Sequence, residues 1–235
     1  MDAPLEPTAP LAAGDGIDIA ADRGELAPGD RLGNWTLGRE IGSGGMGRVF
    51  LAERSDGHYE QRAAIKLLLS WNDGGGPELL ARERRILATL THPNIARLID
   101  GGTTPLGQPY LVMEHVDGVP LHQHCRAHKL ALPAVLALFD QVLQAVAAAH
   151  RQLVVHCDLK PGNVLVTAEG RAMLLDFGIA RLQGAAAQDT LHDRTSFTPR
   201  YASPEQRRGG KPGVASDIYS LGVMLGDLTE PLDLP

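Results

Sequence analysis

The sequence predicts an α+β protein of two lobes, in which a small antiparallel sheet with one helix precedes a mainly helical half. Two observations lead to this prediction. Short apolar runs separated by glycine-rich or polar turns fill the first half of the chain, and longer runs with helical spacing fill the second. With 235 residues, the chain is long enough to bury a core in both lobes.

The strands of the first lobe begin at Trp35, where the runs WTLGREI, GRVFLAER and RAAIKLLL follow one another. A glycine-rich turn separates the first two runs and a polar turn at Asp56-Gly57 precedes the third, which indicates an antiparallel meander. Two more strand-like runs, NIARLID and PYLVMEHV, are joined by GGTTPLGQ. One helix is expected between these groups, in PELLARERRILATL, with Pro77 in its first turn.

Helical spacing dominates beyond Gly118, and SDIYSLGVMLGDL is expected to form one buried helix. A longer one is predicted in LPAVLALFDQVLQAVAAAH, whose apolar face consists of Val135, Leu138, Phe139, Val142, Leu143 and Val146. Residues 1–30 are rich in proline, alanine, glycine and aspartate and are interpreted as a disordered leader. The predicted division is therefore leader 1–30, first lobe 31–116 and second lobe 117–235.

Composition excludes several classes of protein. The net charge of −6 provides no basic field for nucleic acid. No uninterrupted apolar run is long enough to span a bilayer, and the acidic start lacks the features of a secretory signal. Two cysteines, Cys125 and Cys157, cannot form a disulfide framework. We expect a reduced, cytoplasmic protein without a membrane segment; the sequence leaves its oligomeric state open.

The first motif with chemical meaning is a G-x-G-x-x-G-x-V pattern between two predicted strands. Its glycines would let backbone amides approach phosphate groups. The candidate residues are Ile41, Gly42, Ser43, Gly44, Gly45, Met46, Gly47 and Val49. Dinucleotide-binding folds share the glycine spacing but need a helix directly afterwards, whereas RVFLAER is strand-like. The pattern therefore favours a phosphate-binding hairpin, with a simple hairpin turn as the alternative.

Two further motifs supply charged groups. Lys66 ends the apolar run AAIK, where an ammonium is costly unless it meets an anion, and Glu83 on the following helix is a candidate partner. A solvated lysine at a strand edge is the alternative. The segment VHCDLKPGN, followed by DFG, is the most specific motif, because it supplies the base, cation and oxygen ligands that phosphoryl transfer requires. These residues are Asp158, Lys160, Asn163 and Asp176.

In this order the motifs resemble those of the eukaryotic-like serine/threonine protein kinases of bacteria, over residues 32–228. The resemblance implies a two-lobed kinase fold that transfers the γ-phosphoryl of Mg-ATP to serine or threonine hydroxyls of protein substrates, with ATP and Mg²⁺ as cofactors. It implies that Asp158 is the catalytic base and Lys160 contacts the γ-phosphate. Asn163 and Asp176 would bind Mg²⁺.

The resemblance also implies a nucleotide site. Lys66 would hold the α- and β-phosphates and pair with Glu83. The Glu114 carbonyl and the Val116 amide would contact the adenine edge. The ring would lie between three apolar side chains: Val49, Ala64 and Leu165.

Serine/threonine specificity follows from the form D-L-K-P-G-N, since tyrosine kinases resemble D-L-A-A-R-N or D-L-R-A-A-N. Thr198 before Pro199 also lies where such kinases carry a threonine beside the catalytic aspartate. The segment YASPE occupies the A-P-E position, and Asp217 resembles the buried aspartate that supports the catalytic loop.

Cys157 departs from the family pattern, because it replaces an arginine that commonly binds a phosphate on the activation loop. Thr190, Thr195 and Ser196 are possible autophosphorylation sites. We expect activity to depend less on phosphorylation of this loop than in related kinases.

The end of the sequence also departs from the pattern. The second lobe is expected to lack its last helices, which would leave Glu205 without its usual arginine partner and uncover an apolar helix face. A nucleotide-binding, pseudokinase-like interaction protein is therefore the alternative function. A small-molecule kinase of the aminoglycoside phosphotransferase type is disfavoured by DFG, Lys160 and the SPE segment.

A histidine-rich stretch, LHQHCRAHKL, could be mistaken for a metal site. His124 and His128 lie one turn apart on the predicted helix, with His122 and Cys125 beside them. Zinc sites usually combine ligands from two chain segments, and no second Cys/His pair is nearby. The stretch is interpreted as a solvated helix.

Overall fold

The computed structural model describes residues 25–45, 47–68, 84–177 and 198–230 and confirms the two-lobed α+β fold. The first lobe contains a six-stranded antiparallel sheet in the order β1-β2-β3-β4-β6-β5. Its strands are β1 Arg31–Leu32, β2 Trp35–Gly44, β3 Gly47–Arg54, β4 Arg62–Leu68, β5 Leu98–Thr103 and β6 Pro109–Glu114. Residues 84–89 are helical and form helix α1, within the stretch where one helix was predicted.

The two faces of this sheet pack against different cores, because successive side chains of a strand point to opposite faces. Phe50, Ile65 and Val112 are paired across three strands and lie in a core confined to the first lobe. Leu111 lies on the other face and packs into the larger core that includes the second lobe. Lys66 is paired with Leu111, so its side chain also faces the second lobe.

The first lobe begins before residue 31, where the sequence placed its boundary. Leu26 is only 7% exposed and belongs to the core of this lobe. Arg48 on β3 donates a hydrogen bond from Nη1 to the Leu26 carbonyl, at 3.2 Å. Full burial of a leucine side chain contributes about 1.5–3 kcal/mol, which favours packing of this segment on the first lobe. Residues 1–24 of the predicted leader lie outside the described part of the chain.

The second lobe combines a small sheet with helices. Its three antiparallel strands, in the order β7-β8-β9, are β7 Gly118–Pro120, β8 Val164–Thr167 and β9 Ala172–Leu174. Its described helices are α2 Leu121–Ala127, α3 Leu132–Arg151, α4 Pro204–Arg207 and α5 Val214–Thr229. A single 3₁₀ turn, Pro161–Asn163, precedes β8. Helix α5 occupies the segment SDIYSLGVMLGDL, as predicted.

Helix α3 is the central helix of the larger core. Val135, Phe139 and Val142 are buried there, as the apolar spacing predicted. Leu143 was expected on the same face but is 41% exposed, because it lies about 100° around the helix from Val142. Among the described residues, α3 is the one helix whose length and composition would allow it to cross a membrane, yet this face packs against protein.

A short segment before β5 connects the lobes. The Asn94 amide donates to the Ala172 carbonyl at 2.8 Å and to the Gln141 side chain at 3.0 Å. Main-chain hydrogen bonds join Leu174 to Asn94 at 2.8 Å and Ala96 to Leu174 at 2.9 Å. These contacts fix the start of β5 against β9, directly before the DFG segment. The position of the first-lobe sheet over the second lobe therefore depends on them.

Candidate active site

The loop between α3 and β8 brings together the two predicted catalytic residues and one predicted metal ligand. Lys160 Nζ lies 2.8 Å from Asp158 Oδ2. Asn163 Nδ2 donates to the Asp158 carbonyl at 2.8 Å and to its Oδ2 at 3.3 Å. Asp158 is buried while Lys160 is partly exposed. A carboxylate, an ammonium and an amide thus converge on one point at the surface of the second lobe.

Asp217, on the first turn of α5, holds this loop from beneath. It is 1% exposed, and its carboxylate accepts three hydrogen bonds. The His156 and Cys157 amides donate at 2.8 and 2.9 Å, and the His150 Nε2 lies at 2.7 Å. A buried carboxylate is costly unless donors satisfy it, and these three groups supply that satisfaction for Asp217. Asp217 has the supporting role that the sequence predicted, and His150 is an additional partner.

His156 links the catalytic loop to the DFG segment. Its Nε2 lies 2.8 Å from the Leu175 carbonyl, and its Nδ1 lies 3.3 Å from the Asp158 amide. This arrangement places the ring proton on Nε2, because the amide must donate to Nδ1. The ring also packs against Phe177, with a distance of 4.8 Å between centroids. The base and the DFG segment are therefore positioned by a shared side chain.

Lys66 reaches across the cleft to this segment. Its Nζ lies 2.5 Å and 2.6 Å from the two carboxylate oxygens of Asp176, although the residues are 110 positions apart in the chain. Lys66 is 2% exposed, so the solvated-lysine alternative is wrong. The predicted partner Glu83 lies outside the described residues, and Asp176 takes the contact with Lys66 in this structure.

The sheet register explains why further predicted nucleotide residues lie near Lys66. Val49 pairs with Lys66 across β3 and β4, and directly paired side chains share a face of the sheet. Ala64 is two residues before Lys66 on β4 and therefore shares this face as well. Leu165 lies on β8, opposite Met173 of β9, in the second lobe. Val49, Ala64 and Lys66 thus lie on the first-lobe side of the cleft, and Leu165 lies on the second-lobe side.

The glycine positions of the predicted phosphate-binding hairpin differ in whether a side chain would fit there. A Cβ on Gly47 would lie 1.9 Å from the Leu67 carbonyl, and its φ of +143° already disfavours a side chain. A Cβ on Gly44 would meet nothing within 4 Å, and one on Gly42 would meet only the Val49 Cβ, at 3.9 Å. Packing therefore requires glycine at position 47, while Gly42 and Gly44 leave open space. Ser43, Gly45 and the 37% exposed Ile41 belong to the same hairpin, and Met46 lies outside the described residues.

The connection between the lobes contains the predicted adenine-binding backbone. Glu114 ends β6, where its amide donates to the Arg97 carbonyl at 2.8 Å. Within the described residues, the Val116 amide makes no hydrogen bond to the protein. This amide lies in the connection between β6 and β7 and has the capacity to donate to a ligand.

Comparison with known proteins identifies this arrangement. The family model described as "Protein kinase domain" matches residues 35–232. The chain belongs to the protein kinase family.

Its curated relatives are bacterial serine/threonine-protein kinases. PknA of Mycobacterium tuberculosis is 39% identical over 200 residues, which covers 82% of this chain and 46% of PknA. PrkC of Bacillus subtilis is 37% identical over 205 residues, covering 83% of this chain and 30% of PrkC. The chain thus spans about half the length of PknA and less than a third of the length of PrkC. The crystal structure of the Mycobacterium tuberculosis PknI kinase domain matches with a TM-score of 0.66 and 28% identity, covering 87% of this chain and 77% of that chain.

Cys157, the departure from the kinase pattern, has a left-handed backbone with φ of +67°. Such a conformation is strained for a residue other than glycine and persists only where neighbours fix it. The Asp217 carboxylate fixes its amide, and Gln206 Nε2 donates to its carbonyl at 2.7 Å. Gln206 is 3% exposed and lies on α4, directly after the A-P-E-like segment. Two buried side chains therefore hold the peptide that precedes Asp158. The possible phosphorylation sites Thr190, Thr195 and Ser196 lie outside the described residues.

Glu205 has a partner that the sequence did not predict. Ser216 Oγ donates to its Oε1 at 2.5 Å, and this hydrogen bond is the main reason why the pKa of Glu205 is lowered. The sequence predicted only that Glu205 would lack its usual arginine partner, and in the described part of the chain a serine makes the contact instead. A serine at the start of α5 takes part of the role expected of an arginine, without supplying its charge.

The histidine-rich stretch on α2 forms no metal site within the described part of the chain. The His124 and His128 rings stack at 4.2 Å, and His128 Nδ1 lies 3.0 Å from the His124 carbonyl. No group of three His, Cys, Asp or Glu side chains is arranged to hold a metal ion among the residues described. Burial, and then the proximity of His128, lower the pKa of His124, so this ring is neutral near pH 7.

Sequence reasoning missed His150, Gln206 and Ser216 as parts of the kinase site. Each acts through a hydrogen bond to a residue distant in the chain, and none carries a charge pattern that marks it. One local signal was available for Gln206. Ser203 followed by Gln206 forms a capping box at the start of α4, which fixes the glutamine side chain near the main chain.

Proposed function

We propose that this kinase domain transfers the γ-phosphoryl group of Mg-ATP to serine or threonine hydroxyls of protein substrates. The observation that carries the proposal is the 2.5 Å contact between Lys66 of the first lobe and Asp176 of the second. It brings a phosphate-binding ammonium and a metal-binding carboxylate to one point in the cleft. The Asp158, Lys160 and Asn163 cluster belongs to the same lobe as Asp176 and is joined to its segment through His156 and Leu175.

Asp158 is suited to orient the substrate hydroxyl and accept its proton. Its carboxylate is buried, and the two donors from Lys160 and Asn163 fix the position of Oδ2. Oδ1 has no such contact within the described residues and is free to accept from a hydroxyl. Positioning and electrostatic stabilisation supply most of the catalysis in phosphoryl transfer, so a fixed carboxylate matters more than a strongly basic one.

Lys160 and Lys66 are suited to bind the anionic phosphates from opposite sides. Lys160 lies beside the base, where a γ-phosphate has to approach the acceptor hydroxyl. Lys66 lies under the glycine hairpin, where Gly42 and Gly44 leave room for phosphate oxygens. The adenine ring would lie between the apolar Val49, Ala64 and Leu165 and accept a hydrogen bond from the Val116 amide.

The donor set fits Mg²⁺, which prefers oxygen ligands in octahedral geometry. The Asp176 carboxylate supplies hard oxygens, and Asn163 retains its Oδ1 because its amide nitrogen is used by Asp158. When bound, the ion would neutralise charge on the β- and γ-phosphates. Lys66 would hold the Asp176 carboxylate in place for this role.

Serine or threonine is the favoured acceptor. The chain carries D-L-K-P-G-N, and relatives such as PknA are named serine/threonine-protein kinases. Thr198, which the sequence places beside the catalytic aspartate, accepts a hydrogen bond from the Tyr201 amide at 3.0 Å through its carbonyl. Its hydroxyl is therefore not required for this turn.

Label transfer from radioactive Mg-ATP tests the proposal. Purified protein is incubated alone, with a basic protein and with dephosphorylated casein, and phosphoamino acids are identified after hydrolysis. We expect labelled serine or threonine with the wild type, and loss of label in Asp158→Asn and Lys66→Met. Asp140→Asn, which removes a carboxylate on the exposed side of α3, is the matched control and should retain activity.

Two results would contradict the proposal. Label that persists in both active-site variants would show that another enzyme transfers it. Stabilisation of the protein by ATP in thermal unfolding, without label transfer in any substrate, would favour a nucleotide-binding protein instead.

A further inference from the structure

A cavity of about 500 Å³ opens beside the catalytic loop in the second lobe. Lys160 and Gly162 of the loop form one side of it, and His122 and Arg126 of α2 form another. Asp227 lies on the α5 side. Because Lys160 Nζ contacts the Asp158 carboxylate at 2.8 Å, this cavity is adjacent to the proposed phosphoacceptor position. A substrate peptide whose hydroxyl reaches Asp158 therefore has to place a neighbouring residue here.

The carboxylate on the α5 side is already engaged. Arg200 donates to Asp227 through both Nε, at 2.8 Å, and Nη2, in a bidentate contact. Tyr201 donates its hydroxyl to Asp227 at 2.8 Å. The Arg200 hydrogen bond is the main reason why the pKa of Asp227 is lowered, so the group remains ionised and paired. Asp227 is therefore a poor acceptor for a basic substrate side chain.

The α2 side of the cavity has polar groups without a hydrogen-bond partner among the described residues. His122 and Arg126 lie one helical turn apart and so project from the same face of α2. The Nδ1 atom of His122 is buried and has no hydrogen-bond partner within the described residues. Across the same part of the chain, the exposed Arg126 guanidinium makes no hydrogen bond, although its charge slightly lowers the pKa of Asp227. Arg126 offers donors to an anion, as does His122 in the tautomer that carries a proton on Nδ1.

Glu230 is the remaining acidic residue of the cavity. It is exposed at the end of α5, and its charge acts on Arg200, whose pKa is raised mainly by the Asp227 hydrogen bond. The Asp227 and Glu230 carboxylates therefore both act on Arg200 at the α5 side of the cavity. His122 and Arg126 lie on the α2 side of the cavity.

We propose that His122 and Arg126 select protein substrates with an acidic side chain close to the phosphoacceptor residue. The inference rests on the proposed function and adds the chemical class of the substrate. Specificity would come from two features. Arg126 has no hydrogen-bond partner within the described residues and attracts a carboxylate, whereas Asp227 is already paired with Arg200 and so does not stabilise a basic side chain of the substrate. Arg126 suits this role because its planar guanidinium binds carboxylates through two parallel hydrogen bonds.

Matched peptides test the inference by binding and by transfer. Each fluorescent peptide carries one serine, and glutamate, alanine or arginine is placed in turn at the three positions on either side. Dissociation constants are measured by fluorescence anisotropy with a non-hydrolysable ATP analogue and Mg²⁺, and transfer is measured with ATP. At the preferred position we expect glutamate to bind about tenfold more tightly than arginine. A phosphoserine peptide, tested by binding alone, shows whether a previously phosphorylated substrate is preferred over a carboxylate.

Variants assign the selectivity to the cavity. Arg126→Glu should abolish or reverse the preference between glutamate and arginine peptides, while Arg151→Gln, on the exposed end of α3, should leave it unchanged. Arg200→Ala frees Asp227 and should improve binding of the arginine peptide. Circular dichroism and thermal unfolding confirm that each variant is folded.

Equal or tighter binding of arginine peptides by the wild type would overturn the inference, as would an unchanged preference in Arg126→Glu. Because binding is measured separately, an acidic preference without any transfer would contradict the proposed function and still support the cavity assignment. Transfer without an acidic preference would support the proposed function and contradict the cavity assignment.

Discussion

The two sides of the catalytic cleft are fixed by different kinds of interaction. The lower side, in the second lobe, depends on buried side chains that hydrogen-bond to the catalytic loop, namely Asp217, His156 and Gln206. The upper side depends on strand pairing and on one long side chain, Lys66, that crosses to Asp176. In the second lobe, buried side chains position the main chain of the catalytic loop. In the first lobe, the paired main chain of the sheet positions the Lys66 side chain.

This difference indicates where substitutions act. A change below the cleft removes a specific partner and leaves buried polar groups unsatisfied, so it should affect both stability and catalysis. A substitution in the first lobe alters the space for the nucleotide. It lowers stability as well where it prevents the strands from approaching each other. The predictions below separate these cases.

The largest effect is expected for Asp217→Ala. The substitution leaves three donors around the catalytic loop without their acceptor, two of them buried main-chain amides. We expect the free energy of unfolding to fall by roughly 3 kcal/mol or more. Urea denaturation followed by circular dichroism measures this, with Asp140→Ala on the exposed side of α3 as the matched control. An unchanged midpoint would show that solvent replaces the carboxylate.

Substitutions in the glycine hairpin should show that its glycines are not equivalent. In Gly47→Ala the new Cβ would meet the Leu67 carbonyl, and we expect a loss of stability of about 2 kcal/mol. In Gly44→Ala we expect a change within about 0.5 kcal/mol, but weaker ATP binding, because the methyl group enters the phosphate space. Urea denaturation and nucleotide titration measure the two quantities. Similar stabilities of the two variants would contradict the distinction.

Gln206→Leu tests whether the buried amide positions the base. The substitution removes the donor to the strained Cys157 peptide, directly before Asp158. We expect kcat to fall about tenfold with an unchanged KM for ATP, which corresponds to one lost hydrogen bond in the transition state. Ser203→Ala is the matched control, because it removes the hydroxyl that contacts the Gln206 amide nitrogen and Oε1 but leaves the Nε2 donor to Cys157. Equal losses in kcat for both variants would indicate a general packing effect.

Arg200→Ala should produce a smaller, pH-dependent effect. Pairing lowers the pKa of Asp227, so the ionised group stabilises the fold above its unfolded pKa of about 3.9, and this contribution is lost as pH falls through the lowered value. The variant should therefore be less stable than the wild type at neutral pH, and the difference should fade in acid. Unfolding midpoints measured between neutral and acidic pH test this. A constant difference would exclude the ion pair as the cause.

The smallest effect is expected from phosphatase treatment. Asp217 and Gln206 already hold the Cys157 peptide, so the catalytic loop needs no phosphate to order it. Purified protein should keep its transfer activity after treatment and removal of the phosphatase. Loss of activity would show that a phosphate on the chain is required.

The sequence predicted the fold, and it predicted which candidate site residues lie close together, because both depend on local patterns. Alternation in RAAIKLL defines β4 and places Ala64 and Lys66 on one face. The D-L-K-P-G-N spacing confines Asp158, Lys160 and Asn163 to one tight turn, so their proximity follows from the short loop. The predicted boundary at residue 31 left out Leu26, which packs in the first-lobe core. A single buried leucine in a polar segment gives no periodic signal.

Contacts between distant segments could not be predicted in the same way. The pairing of Glu205 with Ser216 depends on how α4 meets α5, and serine occurs in too many environments to indicate this contact. The Arg200–Asp227 contact likewise depends on the close approach of the segment before α4 to the last turn of α5. Leu143 was placed in the core because its hydrophobicity was read without the exact angular width of the buried face.

The attachment of residues 25–26 to Arg48 has a practical consequence for protein engineering. Arg48 lies between Gly47 and Val49, and its guanidinium also contacts Glu40 at 2.8 Å. An expression clone that starts at residue 31 would delete Leu26 and expose the apolar surface that it covers, next to the hairpin that receives the nucleotide. Affinity tags and cleavage sequences should therefore be joined upstream of residue 25, since a shorter clone would report nucleotide affinities of a damaged hairpin.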